Sequence, residues 1–266
     1  MPNCNRPSLD LPIRTAKPRQ SGLTCLVDNG IGLREIDDKL QAHGEFVDVI
    51  KLGWASAYLT PQLQKKIRLF REYGIETCLG GMMFEICHLQ NKIDSYIAWL
   101  NDLNLKLVEI SNGSLPIPES EKVRMIEMFS SKGFTVLSEV GSKDINENIP
   151  PETWVSCIKD DQAAGAWKVI TEGRADASAG IYNADGSPKM DIIDHIIDSG
   201  LNLDDLIFEA PHKRQMCHFI KAVGENVNLG NIPPSEILNL ETLRLGLRGD
   251  TVQHFHLPAN PLDGTD

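Results

Sequence analysis

The chain has 266 residues, of which 41% are hydrophobic and 24% charged, so it is long enough to bury a sizeable core. Its formal net charge of −11 argues against general nucleic-acid binding, which needs a basic face, but permits a local basic pocket for a small anion. The sequence has no run of about 18 apolar residues, which argues against a membrane span. Six scattered cysteines without a C-x-x-C pair argue against a zinc site and favour a reducing cytoplasm.

Short runs rich in β-branched and apolar residues recur along the chain, and segments of helical periodicity separate them. These runs are apolar on both faces, as are the strands of a parallel sheet covered by helices. We predict strands at 23–28, 47–52, 76–81, 107–111, 135–140, 168–173, 206–210 and 227–230. Six of the strands are preceded by a glycine, the residue that most readily adopts the left-handed conformation at the end of a helix. They are Gly44, Gly74, Gly133, Gly165, Gly200 and Gly224, and helix starts are predicted at Thr60-Pro61 and Pro150-Pro151.

The alternation of strands and helices leaves two architectures, a closed barrel or a large doubly wound sheet. The length suits a barrel, and no G-x-G-x-x-G motif follows the first strand. We therefore predict an α/β protein with a single (β/α)8 TIM-type barrel as one domain over residues 1–266. Residues 1–20, which are basic and contain prolines, are predicted to form an N-terminal extension of this barrel.

Polar residues follow the predicted strands at their carboxyl ends, where barrels of this type carry their chemistry. Four are glutamates that lie in or beside apolar runs in similar registers, so we expect their side chains to converge on the barrel axis. These glutamates are Glu109, Glu139, Glu172 and Glu209. The other polar residues at this end are Asp28, Asn29, Lys51, Glu85, Asn112, Arg174, His212, Lys213, Asn228 and Asn231.

Converging carboxylates repel each other, and their pKa values rise unless a cation lies among them. Either a hard divalent ion such as Mg²⁺ or the side chains of Lys51, Arg174 and Lys213 can supply the positive charge. The alternative interpretation is a set of structural salt bridges that closes this end of the barrel.

Two further basic segments have two interpretations each. The segment R-x-x-K-P-R, with Arg14, Lys17 and Arg19, is either an anion clamp or a solvated basic tail. Arg248 follows the last helical segment, and it either binds phosphate or closes the last turn.

Motifs along residues 10–255 together resemble the phosphosulfolactate synthase family. They are R-x-x-K-P-R-x-x-G-L-T (14–24), K-L-G-W (51–54), G-G-M-M-F-E (80–85), V-E-I-S-N-G-S (108–114), S-E-V-G (138–141), T-E-G-R (171–174), I-F-E-A-P-x-K (207–213), N-L-G-N-I (228–232) and L-E-T-L-R-x-G-L-R-G-D-T (240–251). The resemblance implies a β/α barrel that adds sulfite to C3 of phosphoenolpyruvate with Mg²⁺, in the route to coenzyme M. Plant heat-stress-associated proteins also belong to this family.

An enol phosphate is electron-rich at C3, so attack by an anion requires cations at the substrate carboxylate and an acid that protonates C2. From the reaction that the resemblance implies, we infer which residues bind the metal, which take part in catalysis and which bind the substrate. Mg²⁺ is expected at Glu109, Glu139, Glu172 and Glu209. Catalytic roles are expected for Lys51, Glu139, Glu172 and Lys213. Substrate binding is expected from Arg19, Asn112, Ser114, Arg174, Asn231 and Arg248.

The chain departs from the family motifs after the first and fifth strands. After the first strand, the usual family motif D-K-G is D-N-G in this chain, with Asn29 in place of the lysine. After the fifth strand, the usual motif E-V-G-K is E-V-G-S, and Lys143 follows one residue later. A shift of one residue at a strand end turns a side chain to the opposite face, so Lys143 is not expected to replace the missing lysine. We therefore predict weak or absent turnover of sulfite with phosphoenolpyruvate.

Three functions stay open. The first is a lyase that adds a nucleophile, sulfite in the family, to phosphoenolpyruvate or a related unsaturated carboxylate. The second is a paralogue that acts on another enol or enoyl acid in a specialised pathway, and the third is a non-catalytic, stress-associated barrel protein. The expected partners are a small anionic substrate and other copies of the chain in a homo-oligomer, without nucleic acid or a membrane.

Overall fold

A computed structural model describes residues 7–144, 146–174 and 176–257. Its strands are β1 (Thr24–Asp28), β2 (Val49–Leu52), β3 (Glu76–Leu79), β4 (Leu107–Ile110), β5 (Thr135–Val140), β6 (Ala166–Thr171), β7 (Leu206–Glu209) and β8 (Leu229–Ile232). Its α-helices are α1 (Leu33–His43), α2 (Leu63–Glu72), α3 (Gly81–Leu89), α4 (Ile93–Asp102), α5 (Glu119–Ser131), α6 (Pro151–Ala163), α7 (Met190–Asp198), α8 (Lys213–Val223), α9 (Ile237–Arg244) and α10 (Val252–His256). None of the helices in these ranges has the length and apolar character needed to cross a membrane.

The eight strands form one parallel sheet in the order β3-β2-β1-β8-β7-β6-β5-β4. Strand β1 pairs with both β2 and β8, so the first and last strands are neighbours. Strands β3 and β4 stand at the two ends of this order, but they are neighbours in space. The sheet therefore forms a nearly closed barrel. The predicted β/α barrel and all eight strands are confirmed, although β2 and β8 begin two residues later than predicted and β6 begins two residues earlier.

Most glycines behave as the sequence predicted. Gly74, Gly133, Gly165, Gly200 and Gly224 have positive φ angles after helices. The prediction for Gly44 was wrong, because its φ of −62° is right-handed. A Cβ at this glycine would lie 3.1 Å from the Tyr73 ring, so its role is to allow close packing. Helix α6 begins at Pro151 as predicted, and α2 begins two residues after Pro61.

The inside of the barrel has an apolar layer with a charged layer above it. The apolar layer contains Leu23, Cys25, Val49, Cys78, Leu107, Leu137, Ile170 and Ile207. Alternate residues of a strand face the same side of a sheet. Five of these apolar residues are followed, two positions later, by a charged residue. The charged side chains therefore also lie inside the barrel, nearer to its carboxyl end. These are Lys51, Glu109, Glu139, Glu172 and Glu209.

The N-terminal segment lies at the opposite, amino end of the barrel. Arg19 Nη1 lies 3.0 Å from Asp48 Oδ1, directly before β2, and both side chains are buried. Arg14 Nε lies 3.0 Å from Glu241 Oε1 in the same way. The predicted substrate-binding role of Arg19 is therefore corrected, since the residue is bonded structurally at the end of the barrel that is remote from the charged layer.

We expect Arg19→Met to lower the free energy of unfolding by about 3 kcal/mol, because Asp48 would stay buried without its cation. The Michaelis constant for phosphoenolpyruvate, the substrate that the family resemblance implies, should stay unchanged. Urea denaturation measures the free energy of unfolding, and steady-state kinetics measure the Michaelis constant. A raised Michaelis constant with wild-type stability would restore Arg19 to the substrate site.

Candidate active site

A cavity of about 740 Å³ opens at the carboxyl end of the strands. We call it the central cavity. One part of its wall carries the charged layer, and another part carries glycines and apolar side chains. The lining consists of Val27, Lys51, Gly53, Trp54, Gly80, Gly81, Met82, Glu109, Ser114, Glu139, Lys143, Glu172, Arg174, Asp176, Glu209 and Asn231. An apolar wall opposite charged groups suits a small anionic ligand that must be oriented.

Lys51, on β2, lies at the centre of the charged layer. Its Nζ atom is 3.1 Å from Glu209 Oε1, 3.3 Å from Glu109 Oε2 and 3.8 Å from Glu139 Oε2. Burial alone would lower the pKa of Lys51, but Glu109, Glu209 and Glu139 outweigh it and raise the pKa well above 10.5. Lys51 is therefore a fixed ammonium among three carboxyl groups.

Backbone amides hold three of the glutamates in place. In each case one carboxyl oxygen accepts an N–H from a residue that shortly follows a strand, at the carboxyl end of the barrel. The pairs are Glu109 with Gly81 at 2.6 Å, Glu209 with Gly173 at 2.9 Å and Glu172 with Arg174 at 2.6 Å. These bonds leave the second oxygen of each carboxyl group for a lysine or a ligand.

Lys143 is the second ammonium of the central cavity. Its Nζ atom contacts a carboxyl oxygen of Glu139 and lies 2.6 Å from Glu172 Oε2. The prediction that Lys143 faces away was wrong, because strand alternation ends before it. Gly141 has a φ of +120°, and the Lys143 amide donates to the carbonyl of Gly113 at 3.0 Å, so the chain has turned into a loop.

The pKa values of Glu139 and Glu172 are shifted in opposite directions. Burial first, and then the charge of Glu139, raises the pKa of Glu172 well above 4.5. Burial also opposes ionisation of Glu139, but Lys143 and then Lys51 lower its pKa to about 2. Glu139 is thus the ionised partner of both lysines, while the environment of Glu172 favours its protonated form.

The structure brings eight of the predicted site residues together at the central cavity. They are Lys51, Glu109, Ser114, Glu139, Glu172, Arg174, Glu209 and Asn231. Asn231 has a φ of +53° within β8, next to a register shift between β1 and β8. This bulge turns its side chain into the cavity, where strand alternation would not have placed it.

Four predicted site residues lie outside the cavity lining; the role of Arg19 is corrected, and the roles of the other three stay predictions. Arg19 lies at the far end of the barrel, as described above. The Asn112 amide donates to the Ile117 carbonyl at 3.1 Å and to Glu119 Oε1 at 2.7 Å, which closes its own loop. Lys213 pairs with Asp250, in a neighbouring loop, at 2.9 Å, and Arg248 donates to the side chain of Asn239, in α9, at 3.1 Å.

Besides Lys143, seven lining residues were not among the predicted site residues. They are Val27, Gly53, Trp54, Gly80, Gly81, Met82 and Asp176. Asn29, at the position of the absent family lysine, packs its side-chain oxygen on Gly53 and lines a neighbouring cavity. A glycine directly after a strand, as at Gly141, is the signal that could have identified Lys143, because it marks the end of strand alternation.

The carboxyl groups do not form a closed metal cage. Within the described ranges, no three histidine, cysteine or acidic side chains surround one point as metal ligands. Three buried oxygens of the cavity nevertheless accept no hydrogen bond from the described residues, although lysines lie beside two of them: Glu109 Oε2, Glu172 Oε2 and Asn231 Oδ1. Mg²⁺ prefers oxygen ligands and commonly binds through one or two carboxylates, water and substrate oxygens. Asn231 Oδ1 is available to such an ion, whereas Glu109 Oε2 and Glu172 Oε2 would first have to release Lys51, at 3.3 Å, and Lys143, at 2.6 Å.

Comparisons with known proteins give a consistent result. A family model described as (2R)-phospho-3-sulfolactate synthase (ComA) matches residues 12–250. A phosphosulfolactate synthase of Bacillus subtilis (strain 168) is 42% identical over 246 residues, which span 92% of this chain and 97% of the relative. One from Methanothermobacter thermautotrophicus is 40% identical over 251 residues, with coverage of 92% and 97%. The solved structure of a Salmonella typhimurium 3-hexulose-6-phosphate synthase aligns with a TM-score of 0.52 at 13% identity, covering 86% of this chain and 98% of that one, and supports the fold alone.

Proposed function

The chain belongs to the phosphosulfolactate synthase family, and we propose that it adds sulfite to C3 of phosphoenolpyruvate to form phosphosulfolactate. The observation that carries this proposal is the position of Lys143 between Glu139 and Glu172 in the central cavity. It supplies an ammonium at the site although the chain lacks the usual lysine after the fifth strand. The predicted loss of turnover depended on two missing lysines, and Lys143 removes the part of that basis that concerns the fifth strand; Asn29 still stands at the position of the other lysine.

The cavity offers cations for each anionic group of the substrate. Lys51 lies deepest, among three carboxyl groups, and we assign it to the substrate carboxylate. Arg174 lines the cavity with a side chain that is 40% exposed, so its guanidinium can bind the phosphate at the mouth. Ser114 and Asn231 add uncharged hydrogen-bonding groups to the same wall.

The reaction forms one carbon–sulfur bond and keeps the phosphate ester. The sulfur lone pair of sulfite attacks C3, and the π electrons of the C2–C3 bond move toward C2 and the carboxylate. Lys51, held in place before the reaction, stabilises the negative charge that develops there. Lys143 then donates its proton to C2 and is reprotonated from solvent, with Glu139 and Glu172 holding its ammonium in position.

We also propose Mg²⁺ as the cofactor. The buried oxygens of Glu109, Glu172 and Asn231 would hold it together with substrate oxygens and water. When bound, the ion would withdraw charge from the substrate carboxylate and so make C3 more susceptible to an anion.

The expected compartment and assembly are part of the same proposal. Free thiols support a reducing cytoplasm; among the described residues they are Cys25, Cys78, Cys87, Cys157 and Cys217. A homo-oligomer is supported by Trp54, Tyr58 and Leu59, which are 70%, 72% and 82% exposed and close together in the chain.

The decisive experiment mixes the purified protein with phosphoenolpyruvate, sulfite and Mg²⁺ and follows the products by ³¹P NMR and mass spectrometry. We expect a phosphosulfolactate signal that requires both substrates and disappears with EDTA. Restoring Mg²⁺ in excess should restore the product. Binding of phosphoenolpyruvate without any product from sulfite would support a paralogue with another nucleophile, and binding of neither would favour a non-catalytic barrel.

A further inference from the structure

Glu85, on α3, is a fully buried carboxylate outside the lining of the central cavity. Its Oε1 atom accepts the Ser111 hydroxyl at 2.6 Å, and Oε2 accepts the amides of Ser114 at 3.1 Å and Leu115 at 2.8 Å. None of the lysines, arginines or histidines in the described ranges lies within ion-pair distance of it. A buried carboxylate without a cation is costly, so these three hydrogen bonds hold it in place.

The loop that Glu85 binds is the surface against which Lys143 lies. The Gly113 carbonyl, at the middle of this loop, accepts the Lys143 amide at 3.0 Å. A Cβ on Gly113 would lie 3.2 Å from Lys143 Nζ and 3.1 Å from the Gly141 carbonyl oxygen. The backbone of this loop therefore binds the Lys143 amide and lies directly beside the Lys143 ammonium.

We infer that Glu85 is a positioning residue for the reaction, because it anchors the loop of residues 111–115 and thereby holds the Lys143 ammonium between Glu139 and Glu172. This inference rests on the proposed function, in which Lys143 protonates C2. Glu85 itself touches no reacting group. Its effect on the rate passes through the loop and through Lys143.

We choose variants of Glu85 that differ in how many of its three hydrogen bonds they can keep. Methionine at position 85 keeps the length of the side chain but accepts none of the three donors, so the loop loses its anchor. Glutamine keeps one oxygen for the two amides and turns its NH₂ group toward the Ser111 hydroxyl, which can accept it. Glu85→Met should therefore lower kcat about 10- to 100-fold, and Glu85→Gln should restore most of it. A wild-type kcat in a folded Glu85→Met protein would overturn the inference.

A double-mutant cycle separates positioning from a general loss of structure. In a protein that already carries Lys143→Met, Glu85→Met should cause little further loss, because the effect of Glu85 on the rate depends on Lys143. Two losses that multiply would show that Glu85 acts independently of Lys143 and would overturn the inference. Glu241→Met is the matched control, since Glu241 is also a buried carboxylate but pairs with Arg14 at the amino end of the barrel. It should lower the unfolding temperature and spare kcat.

A readout without turnover keeps the test independent of the proposed function. Acetylation by a small amine-reactive ester, followed by mass spectrometry, reports the accessibility of each lysine. In Glu85→Met the acetylation rate of Lys143 should rise relative to that of Lys213, which lies outside the cavity. An unchanged rate would overturn the inference even if sulfite proved to be the wrong nucleophile. Inactive wild-type protein with the expected acetylation pattern would instead sink only the proposed reaction.

Discussion

Replacing Lys143 by methionine is expected to lower kcat for sulfite addition by about 10²–10⁴-fold, because the variant lacks the proposed acid for C2. Binding of phosphoenolpyruvate should weaken much less, since Lys51 and Arg174 still face the substrate in the same cavity. Steady-state kinetics and calorimetric titration with phosphoenolpyruvate separate the two effects.

Lys168→Met is the matched control for this variant. Lys168 is likewise a lysine in an ion pair, 3.1 Å from Asp205, but it is buried and lies near the start of β6 at the amino end of the barrel. Its loss should affect stability and leave kcat near the wild-type value. Equal activities of Lys143→Met and the wild type would remove Lys143 from the mechanism.

Lys51→Met should abolish measurable turnover and also destabilise the fold by about 3–5 kcal/mol. The reason is that Glu109, Glu139 and Glu209 would remain buried around a position without its cation. Urea denaturation of both proteins at pH 7 gives the stability difference, and the ³¹P assay gives the activity.

The stability loss of Lys51→Met should depend on pH in a defined direction. Burial already raises the pKa of Glu109 in the wild type, and Lys51 is the strongest group that opposes this rise. Without Lys51, the pKa in the folded protein lies still further above that of the unfolded chain. Such a carboxyl group stabilises the fold when it is protonated and destabilises it as the pH rises through its folded pKa. The difference in the free energy of unfolding between Lys51→Met and the wild type should therefore become smaller as the pH falls from 7 to 5. A difference that grows over this range would contradict this account.

The barrel and its charged layer could be predicted from the sequence because both depend on local periodicity. Glu109, Glu139 and Glu209 each stand two residues beyond an apolar residue of the inner layer, so one alternation rule places all three. Lys51 follows the same rule on β2. The rule fails at Lys143, where Gly141 ends the strand and the loop direction depends on Gly113 in a different part of the chain.

The roles of basic residues outside the barrel could not be predicted, because their partners are distant in sequence. Arg19 pairs with a residue 29 positions later, and Lys213 pairs with Asp250. A motif match indicates that a basic residue belongs to the family pattern but does not distinguish an ion pair of the scaffold from a ligand contact. Only the folded arrangement shows that Asp48 and Asp250 already neutralise these two side chains.

The contacts at the amino end of the barrel also constrain the order of events during translation. Arg14 bonds to Glu241, 227 residues away, and Thr24 in β1 pairs with Leu229 in β8. A ribosome releases the N-terminal strand long before it has synthesised these partners, so β1 spends most of synthesis with one unpaired edge. Unpaired strand edges invite association with other chains. Nascent chains that stall before residue 229 should therefore be the form most dependent on chaperones, and closure of the barrel by β8 the step that ends this dependence.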